Sequence, residues 1–160
     1  MPAIFRRFPV VLTGLLLSAC SGGYRSGADL SADELSQLQR LGVLASGETI
    51  RLFDSQDGFG RVRLAGNFFT DRRLAAYWID QYHPSRTGIH SAFYPAIDTI
   101  YFVPAQPAQF NAAFLEVRRR DGQRFNVYVG TDSTNAQHFF RAAFAEWQRH
   151  KSARPVPGSH

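Results

Sequence analysis

Four side chains in the middle of the chain, His83, His90, Ser91 and Asp98, are of the types that do chemistry. A nucleophilic triad needs a serine, a base beside it and a group that orients the base. Ser91, His90 and Asp98 supply the types but not the placement. Neighbours in a strand point to opposite faces, which turns His90 away from Ser91. Two imidazoles could hold a metal, but the separation of seven between His83 and His90 matches no familiar ligand spacing. The single cysteine, Cys20, excludes an internal disulfide, a CxxC pair and a Cys-based zinc site. No GxSxG, HExxH or glycine-rich phosphate loop occurs. The expectation is therefore a protein without catalytic residues, metal or cofactor.

Charge gives little more. Arg118-Arg119-Arg120 could concentrate positive potential, but alternation splits the three between faces and Asp121 is adjacent. Asp71-Arg72-Arg73 reads as a turn aspartate bonding the local backbone, with arginines pairing to nearby acids. The formal charge is +5, with 18 basic residues interspersed among 13 acids and no lysine-rich tract, so a nucleic-acid partner is not expected. A partner surface is better sought on the polar stretch Asp80 to Gly88, where Tyr82, His83 and Arg86 lie outside any periodicity that demands burial. Tyrosine and arginine are enriched at binding hot spots, and long connections in compact domains are often functional.

The elements that must carry these residues follow from pattern. A hydrophobic fraction of 44% and an aromatic fraction of 14%, with 14 phenylalanines, suit one globular domain with an aromatic core. Residues 1–19 are different: Arg6 and Arg7 precede an apolar run from Phe8 to Leu17 and the small pair Ser18-Ala19. That run is too short to cross a bilayer of about 30 Å, so the segment reads as an export signal. Its loss, taking Arg6 and Arg7, lowers the formal charge from +5 to +3.

Leu17-Ser18-Ala19-Cys20 resembles the lipobox of bacterial lipoproteins. The resemblance implies diacylglyceryl transfer to the Cys20 thiol, cleavage before it and acylation of the new amino terminus. Two or three acyl chains hold a protein to a membrane where one would be marginal. Ser21 stands where an aspartate would resemble the inner-membrane retention signal of enteric lipoproteins, which favours the periplasmic face of the outer membrane over the inner membrane. The alternative is an ordinary export signal followed by a chance cysteine.

Along the mature chain, residues 20–30 lack apolar periodicity and read as a flexible tether with a reach of roughly 17 Å. Ser31 and Glu34 match a capping box, Leu35, Leu38 and Leu41 fall at helical spacings, and Gly42 closes the pattern, giving a short helix over 32–41. Alternating β-forming segments then run at 49–53, 61–69, 73–79, 89–94, 97–103, 113–119 and 124–129, with turns at Asp57-Gly58-Phe59-Gly60, Thr70-Asp71 and Asp121-Gly122. Asp132 or Ser133 can cap a last helix over 134–150, whose residues Ala136, Phe139, Phe140, Ala143, Phe144 and Trp147 form one stripe. Residues 31–150 thus make one domain, and 151–160 a disordered tail.

Gly66-Asn67-Phe68-Phe69-Thr70-Asp71-Arg72-Arg73-Leu74, Tyr94-Pro95-Ala96-Ile97-Asp98-Thr99-Ile100, and Phe114 to Val129 with the following helix resemble bacterial PH-like domains of the pleckstrin-homology superfold, over residues 47 to 149. The resemblance implies an α+β, mainly β fold: a small antiparallel barrel of about seven strands capped by the C-terminal amphipathic helix, with the short helix added in front. Phosphoinositide-binding members carry a basic first hairpin; here Asp54 and Asp57 interrupt Arg51, Arg61 and Arg63, and that ligand is not carried over. The function expected is a membrane-anchored, non-enzymatic binding or scaffolding module for an envelope protein. A lipid or cell-wall ligand carrier with an internal cavity, or an envelope enzyme, are the alternatives.

Overall fold

The computed structural model describes residues 24–55, 62–106, 112–129 and 133–152. The expected export signal, Cys20, the expected turn at Asp57 to Gly60, Asp132 and residues 153–160 lie outside them.

The described residues are mainly β, with two α-helices and two antiparallel sheets. The first sheet orders β1 (Arg25–Ser26), β2 (Ile50–Asp54), β3 (Ala65–Thr70), β4 (Arg73–Trp78) and β5 (Gly88–Phe93) side by side; the second holds β6 (Ile97–Val103), β7 (Phe114–Arg119) and β8 (Arg124–Tyr128). Helix α1 spans Ala32–Arg40 and α2 spans Ser133–Ser152.

Three expectations are corrected here. Residues 20–30 are not a tether throughout, because Arg25–Ser26 pairs with Phe53 and Leu52, and a capped 3₁₀ turn at Gly27–Asp29 leads to the buried Leu30. That accounts for an eighth strand. The barrel is not closed either: among the described residues no ladder joins β5 to β6. Pro95, which has no N–H to donate, lies in a 3₁₀ turn at Tyr94–Ala96 that turns the chain from one sheet to the other. The Tyr94 hydroxyl fixes this corner by donating to the Thr70 carbonyl oxygen at 2.7 Å. Helix α2 is also longer than expected, taking in Lys151 and Ser152.

The first sheet is the middle layer of the molecule. On one face Phe69, Leu74, Ala76 and Ala92 meet Leu115, Val117 and Val127 of the second sheet and Phe139 and Trp147 of α2. On the other, Phe53, Phe68, Ala75 and Tyr77 lie under Leu30, Leu38, Val43 and Leu44 around α1. Helix α1 is thus part of the core. Its start carries the expected box: the Glu34 amide donates to the Ser31 hydroxyl at 3.3 Å and the Ser31 amide to the Glu34 carboxylate at 2.8 Å. It ends in a Schellman turn on Gly42, at φ +72°, where the Val43 amide donates to the Leu38 carbonyl.

Glu34 also accepts from Arg25 at 2.7 Å, which ties β1 to α1. Burial pushes its carboxyl up, but the hydrogen bonds from Arg25 and Ser31 outweigh this and hold it below its ordinary value. A depressed folded-state value means that the link is complete above the ordinary carboxylate range and is lost as pH falls through the folded value. Protection of the β1–β2 ladder amides, corrected for the slower intrinsic exchange in acid, should therefore fall on acidification before that of the β3 and β4 amides. Simultaneous loss of protection in all four strands would show that β1 is not held by this pair.

Candidate binding site

The stretch between β4 and β5 is folded back on itself. Asp80 accepts from the Tyr82 and His83 amides at 3.0 and 2.8 Å, an Asx turn that starts the connection. Pro84–Arg86 makes a 3₁₀ turn, and the Asp80 amide donates to the Thr87 hydroxyl at 3.2 Å across the base. From below, the Trp78 indole donates to the Arg86 carbonyl at 2.7 Å. Gly88 completes the turn for a steric reason: a Cβ there would lie 2.2 Å from Trp78 Cζ2. The result is a stitched loop that displays Tyr82, 89% exposed, beside the exposed His83 and Arg86. The structure thus brings together the three residues named from the sequence, and it adds a reason for their fixed presentation.

Next to this loop the two sheets part. Trp78 and His90 from the first sheet, and Glu116, Arg124, Phe125, Asn126 and Tyr128 from the second, line a cleft of about 440 Å³. The His90 ring lies between Trp78, at 5.2 Å, and Phe125, at 5.9 Å and nearly parallel. Asn67 seats the far wall, since the Tyr128 amide donates to its side-chain oxygen at 3.0 Å. A smaller hollow of about 270 Å³ continues past His90 to Ser91, Arg119 and Gln123. The wall is half aromatic, with Trp78 and Tyr128 each more than two-fifths exposed. Such surfaces can stack on flat or apolar groups while arginine and amide side chains take hydrogen bonds.

The other sequence candidates have structural work. His83 sits 3.6 Å from Asp80 and His90 is stacked in the cleft, so the two histidines serve separate places; among the described residues no group of three metal-ligating side chains forms. Arg118 pairs with Glu116 and Arg119 with Asp121, each at 2.6 Å, at the end of the β7–β8 hairpin. Asp71 accepts from the Thr49 amide, and Arg73 forms two bonds of 2.8 and 2.7 Å to Glu48. Missed from the sequence were Trp78, Phe125 and Tyr128 as a shared wall. The local signal was present only for Trp78, an aromatic residue at the end of a strand before a polar loop.

No family model matches the chain, and no curated protein is similar to it. Among solved structures, the chain is similar to a DUF1696 family protein with a pleckstrin-homology domain from Shewanella loihica PV-4. The likeness runs at 23% identity over 76% of this chain and 97% of that one, with a TM-score of 0.43. At this distance it bears on neither the site nor its ligand.

Proposed function

We propose that the protein is a lipid-anchored envelope protein with a PH-like mature domain that acts as a non-enzymatic binding or scaffolding module. Its partner site is the Asp80 to Gly88 loop together with the cleft between the sheets. The anchor rests on Cys20 at the end of the export signal. The PH-like reading is supported by two antiparallel sheets over which one amphipathic C-terminal helix packs. Binding rather than carriage is supported by the filling of the space between the sheets: Leu74, Leu115, Val117 and Phe139 are all at most 1% exposed there.

The observation that carries the module reading is the rigid presentation of an exposed tyrosine and arginine beside an aromatic cleft. Hot spots favour residues of this kind because fixed aromatic area and planar donors lose little entropy on binding. Tyr82→Ala with Arg86→Ala should leave the thermal midpoint nearly unchanged, since neither side chain is buried, yet weaken capture of envelope partners from membrane extracts about tenfold or more. If the double variant stays folded and captures every partner as wild type does, the loop is not the interface. The anchor has its own test. Wild-type protein should take up radiolabelled palmitate and Cys20→Ala should take up none; equal labelling of the two would remove the lipoprotein reading.

A further inference from the structure

We infer that one particular face of the domain, the β1–β2 edge together with the outward stripe of α2, lies against the phospholipid head groups of the membrane that holds the anchor. The inference rests on the lipidation of Cys20 and extends it from attachment to orientation. The first described residue, Tyr24, is not free to swing: its ring stacks on His138 of α2 at 5.1 Å and 6°. The next two residues are paired into the sheet. Between Cys20 and Tyr24 stand only Ser21, Gly22 and Gly23, a link that can reach at most roughly 14 Å when fully extended. Anchor and domain are therefore joined at one defined place on the surface.

The surface around that place suits a layer of phosphates. A register shift in β2 sets Arg51 out of the regular pairing, and an open trough of about 510 Å³ runs from it to His138 and Arg149 on α2. Arg141 is exposed one helical turn beyond His138. The acids nearby are occupied: Glu146 is buried, paired to Arg149 and 3.7 Å from His150, Asp71 accepts from the Thr49 amide, and beside β1 Asp29 accepts from the Ser26 amide and Glu34 pairs with Arg25. Ala142 and Ala145 leave the floor of the trough low. Guanidinium groups take phosphate oxygens in pairs, and a covalent anchor supplies the high local concentration that lets a few such contacts act. The candidate binding site faces the other way along the sheet: β5 is four strand spacings from β1, roughly 19 Å.

The full lipidated chain can be placed in vesicles of phosphatidylethanolamine and phosphatidylglycerol containing a nitroxide-headgroup lipid. With Cys20 acylated, a cysteine introduced by Ala145→Cys or Ser85→Cys is the reactive thiol for a fluorophore. The label at 145 should be quenched at least about twofold more than the label at 85, given the geometry of link and sheet. Arg51→Glu with Arg141→Glu, and separately Tyr24→Ala, should reduce that contrast while palmitate uptake stays unchanged. Equal quenching of both labels in a palmitate-labelled chain overturns the orientation and leaves the anchor standing; a chain without palmitate overturns both. A contrast that survives the charge reversal overturns the role of the head groups.

Discussion

Trp147→Ala is expected to destabilise the domain by about 3–5 kcal/mol, the cost of emptying a large aromatic site in a core that relaxes only in part. Trp147 is 4% exposed, packs edge-on to Phe144 at 5.4 Å and carries the Lys151 ammonium 4.9 Å above its ring. It lies in the same core cluster as Leu115, Val127 and Phe139, so its loss opens the space between helix and sheets. The neighbouring Phe144 is only partly buried, and Phe144→Ala should cost clearly less. Denaturant melts decide the matter. A loss below about 1 kcal/mol for Trp147→Ala would mean that α2 does not hold the core this way.

The second large effect is electrostatic. The Glu48 side chain is fully covered and Arg73 nearly so, and the two meet through a fork of two hydrogen bonds. Glu48 also accepts from the Ala45 amide at 2.7 Å, and the Arg73 guanidinium lies 4.4 Å over Phe93. Removing one partner leaves a buried charge without its counter-ion, which typically costs about 3–5 kcal/mol. Arg73→Met should therefore destabilise strongly, as should Glu48→Leu. The pair together should lose much less than the sum of the two, because two apolar side chains can fill the site without stranding a charge. Additive losses in the double variant would refute this account of the pair.

Much of the strand pattern was legible because one face of a sheet was wet. In β7 and β8, Leu115, Val117, Phe125 and Val127 are buried while Glu116, Arg118 and Arg124 reach water, and alternation located both strands and their Asp121-Gly122 turn. The middle of the first sheet is different. Leu74 to Tyr77 are buried without a break, so nothing in the period reveals that α1 covers a second face. Strand β1 was not readable at all. Two polar residues have no pattern, and their pairing with Leu52 and Phe53 is decided by tertiary contact. One local cue was passed over: Ser26 to Asp29 repeats the reciprocal cap of Ser31 to Glu34, and it marks the turn that ends the supposed tether.

The site divided along the same line. Tyr82, His83 and Arg86 are close in sequence and could be named as a group. The cleft joins Trp78 and His90 to Phe125 and Tyr128, and only the docking of β8 across the first sheet brings them together. Closure of the barrel was overestimated for a similar reason, since counting strands says nothing of the corner that Tyr94 and Pro95 impose.

The stack of Tyr24 on His138 has a bearing on timing. It joins residues 114 positions apart, and β1 waits likewise for β2. If the chain is exported from its amino terminus, as proposed, Tyr24 is delivered first and His138 among the last, and domains acquire their long-range contacts only once both ends are present. For most of its passage, then, the segment after Cys20 has nothing to dock on. On the proposed lipidation, an acyltransferase in the membrane would meet an extended substrate, and the arrival of α2 would end that interval by drawing Tyr24 onto the finished domain.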